Sequence, residues 1–127
     1  MIDPGDPGLK GRRLLLVEDD YLIAADLTRT LERLGAEVLG PAGSVEDALD
    51  LLATANGRLD GAVLDINLGD EQVFPVADAL MAQDAPFVFV TGYDAVVIPE
   101  AYGAAPRLEK PVDRGLLLRT LRGAGLR

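Results

Sequence analysis

The chain has 127 residues, and its 21 acidic against 12 basic side chains give a formal charge of −9. That excess excludes nucleic acid as a partner, because nothing offsets the repulsion from its phosphates. With no cysteine and no histidine, disulfides, thiol nucleophiles, His metal ligands and phosphohistidine are excluded as well.

The N-terminal stretch MIDPGDPGLKGRR lacks the apolar core of a signal peptide. Its Pro, Gly and Asp content predicts a flexible lead-in over residues 1–11, ahead of one domain over residues 12–127. RLLLV at 13–17 is a short continuous apolar run, as expected of a central parallel strand. Ile23, Leu27, Leu31 and Leu34 then recur at helical spacing, with Gly35 as the C-terminal stop. AEVLG at 36–40 predicts a second strand. Ser44, with Asp47 three positions on, reads as a capping box for a helix with Val45, Ala48, Leu49 and Leu52 inward, ended by Asn56 and Gly57. GAVLDI at 61–66 predicts the third strand, and Pro75 suits the first turn of a helix reaching about Ala82. PFVFV at 86–90 is the fourth strand. Pro99 and Gly103 interrupt the segment 93–104, so its helix is expected to be short, displaced or missing. APRLE at 105–109 gives a fifth strand, and Asp113 caps a last helix with Leu117 and Leu121 on its apolar face.

Five βα repeats with short connections predict an α/β fold, a doubly wound five-stranded parallel sheet with helices on both faces. No apolar run approaches the ~18 residues of a membrane span, and the lack of cysteine suits a reducing cytoplasm. Ligands on such sheets bind beyond the C-terminal strand ends, so the residues there carry the chemistry. Strand one ends in Glu18, Asp19 and Asp20; strand three in Asp65, followed by Asn67; strand four in Thr91; strand five in Lys110 and Pro111. No glycine-rich nucleotide loop is present. Converging carboxylates are tolerable beside a hard cation, and Mg²⁺ prefers a few carboxylates with waters and phosphate oxygens. A lysine and a threonine at the same edge can hold a phosphoryl group, and a carboxylate can be its acceptor without a general base.

In LLLVEDD, LDINL, VTG and EKP, taken in this order and at these strand ends, the sequence resembles the receiver domains of bacterial two-component response regulators over about residues 12–123. The resemblance implies a flavodoxin-like strand order 2-1-3-4-5. It makes Asp65 the phosphoacceptor, Glu18 and Asp19 the acid pair for Mg²⁺ (Mn²⁺ as a substitute), and Asn67 a donor of its backbone carbonyl. Asp19 would ligate directly and Glu18 through water. Thr91 would be the switch hydroxyl and Lys110 the lysine that pairs with the phosphate, before a cis bond to Pro111. The implied partners are a sensor histidine kinase or phosphotransfer protein and a downstream protein. The implied output surface is that of the fourth helix, fifth strand and fifth helix. The receiver catalyses only its own phosphorylation and dephosphorylation.

Two departures are visible. Receivers place Tyr or Phe three residues before the lysine, where this chain has Arg107, and the segment between Thr91 and Lys110 is short. Both features, with PFVFVTGY, are similar to a subgroup with a Phe-Ala-Thr-Gly-Tyr signature, many of them single-domain receivers served by HWE or HisKA_2 type kinases; Val90 stands where the signature has Ala. Tyr93 and Tyr102 are expected as partial core, either being able to replace the missing aromatic. Asp20 is read as negative charge favouring the following helix dipole. An EF-hand reading of DINLGDE fails, since Asp70 and Val76 stand where Gly and Glu are needed. The alternatives are a phosphorylation-independent pseudo-receiver or adaptor, kept open by Arg107, and an aspartyl phosphohydrolase. Asn67 disfavours the latter, since it occupies the place of the second acid.

Overall fold

The computed structural model describes residues 5–92 and 98–126. In chain order the elements are β1 (Arg13–Val17), α1 (Tyr21–Arg33), β2 (Glu37–Ala42), α2 (Val45–Ala55), β3 (Gly61–Asp65), the short β4 (Asn67–Leu68) and β5 (Glu71–Gln72), α3 (Phe74–Ala82), β6 (Phe87–Thr91), a 3-10 turn (Glu100–Tyr102), β7 (Arg107–Glu109) and α4 (Arg114–Gly123). Five strands make one parallel sheet in the order β2-β1-β3-β6-β7, which is the expected 2-1-3-4-5 with its strands renumbered. β4 and β5 form a separate two-stranded antiparallel hairpin.

Strand alternation divides the core. Leu15, Val17, Leu64, Phe87 and Phe89 face α2 and α3, where Ala48, Leu52, Val76 and Leu80 meet them. Leu14, Leu16, Val63, Val88 and Leu108 face α1 and α4, against Leu27, Leu31, Leu117 and Leu121. Residues 14–17 and 62–64 are wholly buried, which is why these strands read as continuous apolar runs rather than alternating ones.

Caps fix three helix starts. The Asp20 side chain accepts from Leu22 and Ile23 N–H, Ser44 from Asp47 N–H, and Asp113 from Leu116 N–H. Asn56 ends α2 with a left-handed φ of 50°, as its place before Gly57 suggests.

The structure amends several expectations. β2 continues to Ala42 through a register shift against β1 and a cis Gly40–Pro41 bond, neither of which leaves a periodic signal. β7 is shorter than expected, beginning at Arg107 rather than at residue 105. Leu49 is 37% exposed rather than inward, because Ala48 and Leu52 already fill the core-facing stripe of α2. The segment read as a flexible lead-in is docked over its described part. Leu9 is buried, its N–H donates to Leu34 O at 2.6 Å, and Arg122 bonds both Asp6 Oδ2 at 2.8 Å and Gly8 O at 3.2 Å. One leucine among Pro, Gly and Asp has no period to betray it. One expectation stands unamended: the interrupted segment before β7 holds, among the described residues, only the short 3-10 turn.

Candidate functional site

The sheet's register brings four strand ends together. Val17 of β1 pairs with Leu64, one residue before Asp65 at the end of β3; Asp65 pairs with Val90, and Thr91 with Glu109, one residue before Lys110. Glu18 follows β1 directly, its N–H donating to Ala42 O at 2.9 Å, and Lys110 N–H donates to Thr91 O at 2.8 Å. Backbone pairing therefore sets these side chains side by side before any of them interacts.

Their contacts are close. Lys110 Nζ stands 2.6 Å from Glu18 Oε1 and 3.2 Å from Asp65 Oδ2. Glu18 is 3% exposed and Asp65 7%. One carboxylate oxygen from each of Glu18, Asp19 and Asp65 lies within 4.8 Å of the others. Asp19 is exposed at the mouth, beside the β4–β5 turn, where a Cβ on Gly69 would stand 3.9 Å from Asp19 Oδ2. Asn67, the first residue of that hairpin, turns its N–H toward Asp65 Oδ1 at 3.4 Å.

Charge explains the site's requirements. Burial pushes the Glu18 carboxyl up to about 7, with Asp65 adding to the rise and Lys110 opposing it. Burial alone would lower the Lys110 ammonium, but its bond to Glu18 and the charges of Asp65 and Glu18 outweigh that and raise it. Glu18 Oε1 touches the ammonium but is fully buried without a well-directed hydrogen bond among the described residues. When ionised, three carboxylates against one ammonium leave two negative charges uncompensated. A hard divalent cation fits that deficit and that all-oxygen donor set.

The remaining site residues fall as follows. Thr91 is buried at the adjacent strand end, and among the described residues no hydrogen bond joins its hydroxyl to the acids. The Lys110–Pro111 bond is cis, as expected. Arg107 lies exposed on β7, paired in register with Phe89, so it does not supply a buried ring. Tyr93 lies outside the described residues. Asp20 leaves the acid cluster as the cap of α1. Sequence reasoning missed the Lys110–Glu18 contact and the bond from Tyr102 to Asp78. Both join residues far apart in the chain, and no spacing rule reveals such a pair.

No family model matches the chain. It is similar to SdrG from Sphingomonas melonis Fr1, at 37% identity and a TM-score of 0.77 over 89% of this chain and 95% of that one. The signal receiver domain of a modulated diguanylate cyclase from Desulfovibrio desulfuricans G20 matches at 32% identity and a TM-score of 0.74, covering 88% and 91%. The phyllosphere-induced regulator PhyR of Methylorubrum extorquens is 34% identical over 83 residues, 63% of this chain and 30% of PhyR. The chain spans 30 to 50% of the length of the curated relatives it matches.

Proposed function

Because the chain belongs to the receiver domains of two-component response regulators, we propose that Asp65 accepts a phosphoryl group from the phosphohistidine of a sensor kinase or phosphotransfer protein. The observation that carries this reading is the buried Glu18–Lys110–Asp65 constellation at one sheet edge. A carboxylate already ionised at neutral pH needs no base to attack phosphorus. As the Asp65 oxygen–phosphorus bond forms, the phosphorus–nitrogen bond breaks and its electron pair returns to the donor's imidazole. Lys110, 3.2 Å from Asp65, would pair with the phosphoryl oxygens, and Thr91 would offer a hydroxyl from the next strand end. Glu18, Asp19, Asp65 and the Asn67 carbonyl would hold Mg²⁺. When bound, Mg²⁺ neutralises charge on the transferring group. Water later cleaves the acyl phosphate, so the chain acts on itself rather than turning over a separate substrate.

The domain proper spans residues 12–127, with residues 5–11 strapped onto it. The setting is the cytoplasm, and output is a protein contact on the side of the 3-10 turn, β7 and α4. The PFVFVTGY segment supports an HWE or HisKA_2 type kinase as donor. The test is labelling of the whole chain by acetyl phosphate. Labelling that depends on Mg²⁺ and is abolished in Asp65→Asn supports the assignment; labelling that persists in that variant removes it.

A further inference from the structure

Among the described residues between β6 and β7, the 3-10 turn Glu100–Tyr102 lies on the α3 side of the sheet. Its backbone bonds are local: Tyr102 N–H to Pro99 O at 2.9 Å, Gly103 N–H to Glu100 O at 3.0 Å, and Ala105 N–H to Tyr102 O at 3.0 Å. Among the described residues, no backbone hydrogen bond ties residues 98–104 to another element. Side chains make the attachment. Tyr102 stacks on Phe74, with centroids 4.9 Å apart and planes 12° from parallel, and stands edge-on to Phe89 at 6.5 Å. Its hydroxyl donates to Asp78 Oδ1 at 2.6 Å. Ile98 and Ala105 pack against the same core. Phe74 and Asp78 are one helical turn apart on α3, so a single tyrosine grips two neighbouring positions of one face.

Two placements link this grip to the acid site. Phe89 and Thr91 are alternate residues of β6 and share a face. Phe74 opens α3 directly after the β4–β5 hairpin, which begins two residues beyond Asp65. Phe74 and Phe89 also touch edge to face, at 5.9 Å. Tyr102 thus bears on both segments that carry site residues. Its other side borders a cavity of about 510 Å³ whose walls include Phe87, Ala105, Pro106 and Ala124.

We propose that Tyr102 and Asp78 form a latch that holds segment 98–105 on α3, and that its opening is coupled to occupancy of the Asp65 site through Phe74 and Phe89. The coupling rests on the phosphoacceptor reading above. Closed, the ring covers Phe89 and bounds the cavity. Open, it leaves the cavity continuous with the apolar wall of Phe74 and Phe89, and so changes the surface a partner meets. A hydroxyl–carboxylate bond at the surface competes with water, which keeps the two states close in free energy, as a switch requires. Tyr102 and Asp78 are positioning residues; neither touches the reacting atoms.

Amide hydrogen exchange of the whole chain tests the latch. In metal-free protein, Tyr102→Phe and Asp78→Ala each accelerate exchange over residues 98–105 by about five- to tenfold, the worth of one hydrogen bond, with amides of β1 and β3 unchanged. Asp78→Asn keeps an acceptor oxygen and restores the wild-type rates. With Mg²⁺ and beryllofluoride, exchange over 98–105 in the wild type rises toward that of Tyr102→Phe, and by reciprocity that variant binds beryllofluoride a few-fold more tightly. Unchanged exchange over 98–105 in both variants, or acceleration spread evenly through the sheet, overturns the latch. Equal beryllofluoride affinity of wild type and Tyr102→Phe overturns the coupling. A wild type that binds no beryllofluoride removes the Asp65 reading and the coupling together, while exchange in metal-free protein still judges the latch.

Discussion

Lys110 Nζ lies nearer to Glu18 Oε1, at 2.6 Å, than to Asp65 Oδ2, at 3.2 Å. The lysine therefore does two jobs: it compensates the buried acid Glu18 and stands beside Asp65, the acceptor we propose. Replacing it with methionine strands Glu18 and Asp65 without their cation. We expect a loss of up to about 3 kcal/mol, limited because Glu18 can keep its proton instead. Denaturant unfolding of Lys110→Met without metal checks this, and a loss confined to phosphorylation with stability intact would contradict it.

Mg²⁺ should raise the thermal stability of the wild type, since the site we propose for it exists only where folding gathers Glu18, Asp19 and Asp65. Asp19→Asn and Glu18→Gln should each blunt that rise, while Asp20→Asn should leave it intact, because Asp20 is occupied as the cap of α1. Melting curves across a Mg²⁺ titration report all three. A rise abolished by Asp20→Asn alone would reverse our division of the three acids.

The strap over α4 makes an acid-sensitive contact. The bond from Arg122, with help from Gly8 N–H, holds the Asp6 carboxyl at about 2, below its ordinary 3.8. A depressed carboxyl stabilises the fold above its unfolded value and loses that contribution as pH falls through the folded one. Asp6→Asn should therefore melt below wild type above pH 3.8, with the two curves converging as pH falls toward about 2. A gap that persists at the acid end would place the effect elsewhere.

Helix caps give a calibration independent of the site. Ser44→Ala and Asp113→Ala each remove a side-chain acceptor from an N-cap, and each should cost about 1 kcal/mol. Leu64→Ala, in the fully buried centre of β3, should cost about 2–5 kcal/mol. Equilibrium unfolding in urea ranks them, and a cap variant costlier than Leu64→Ala would contradict the ordering.

The legibility of these elements in the sequence followed their physics. β1 and β3 are buried on both faces, so RLLLV and GAVLD announce themselves as unbroken apolar runs. Ser44 and Asp113 act through local bonds to the backbone and Asn56 through its own left-handed φ, so all three appear as local patterns. The acids and Lys110 were legible because parallel strands deliver their C-terminal ends to one edge whatever the details of packing. By contrast, the closeness of Lys110 to Glu18, 92 positions away, depends on side-chain packing across the sheet. Leu49 erred because a helix stripe read from spacing is wider than the two rows that α2 buries. The docking of Leu9 depends on the turn after α1, where Leu34 O is free to accept its N–H.

That docking governs how the domain can be transplanted. A chimera that grafts this receiver onto another output, or trims it to Arg12, discards Leu9 and the bond between Asp6 and Arg122. It would uncover the corner between the ends of α1 and α4 and loosen the last helix. The portable unit begins ahead of Asp6.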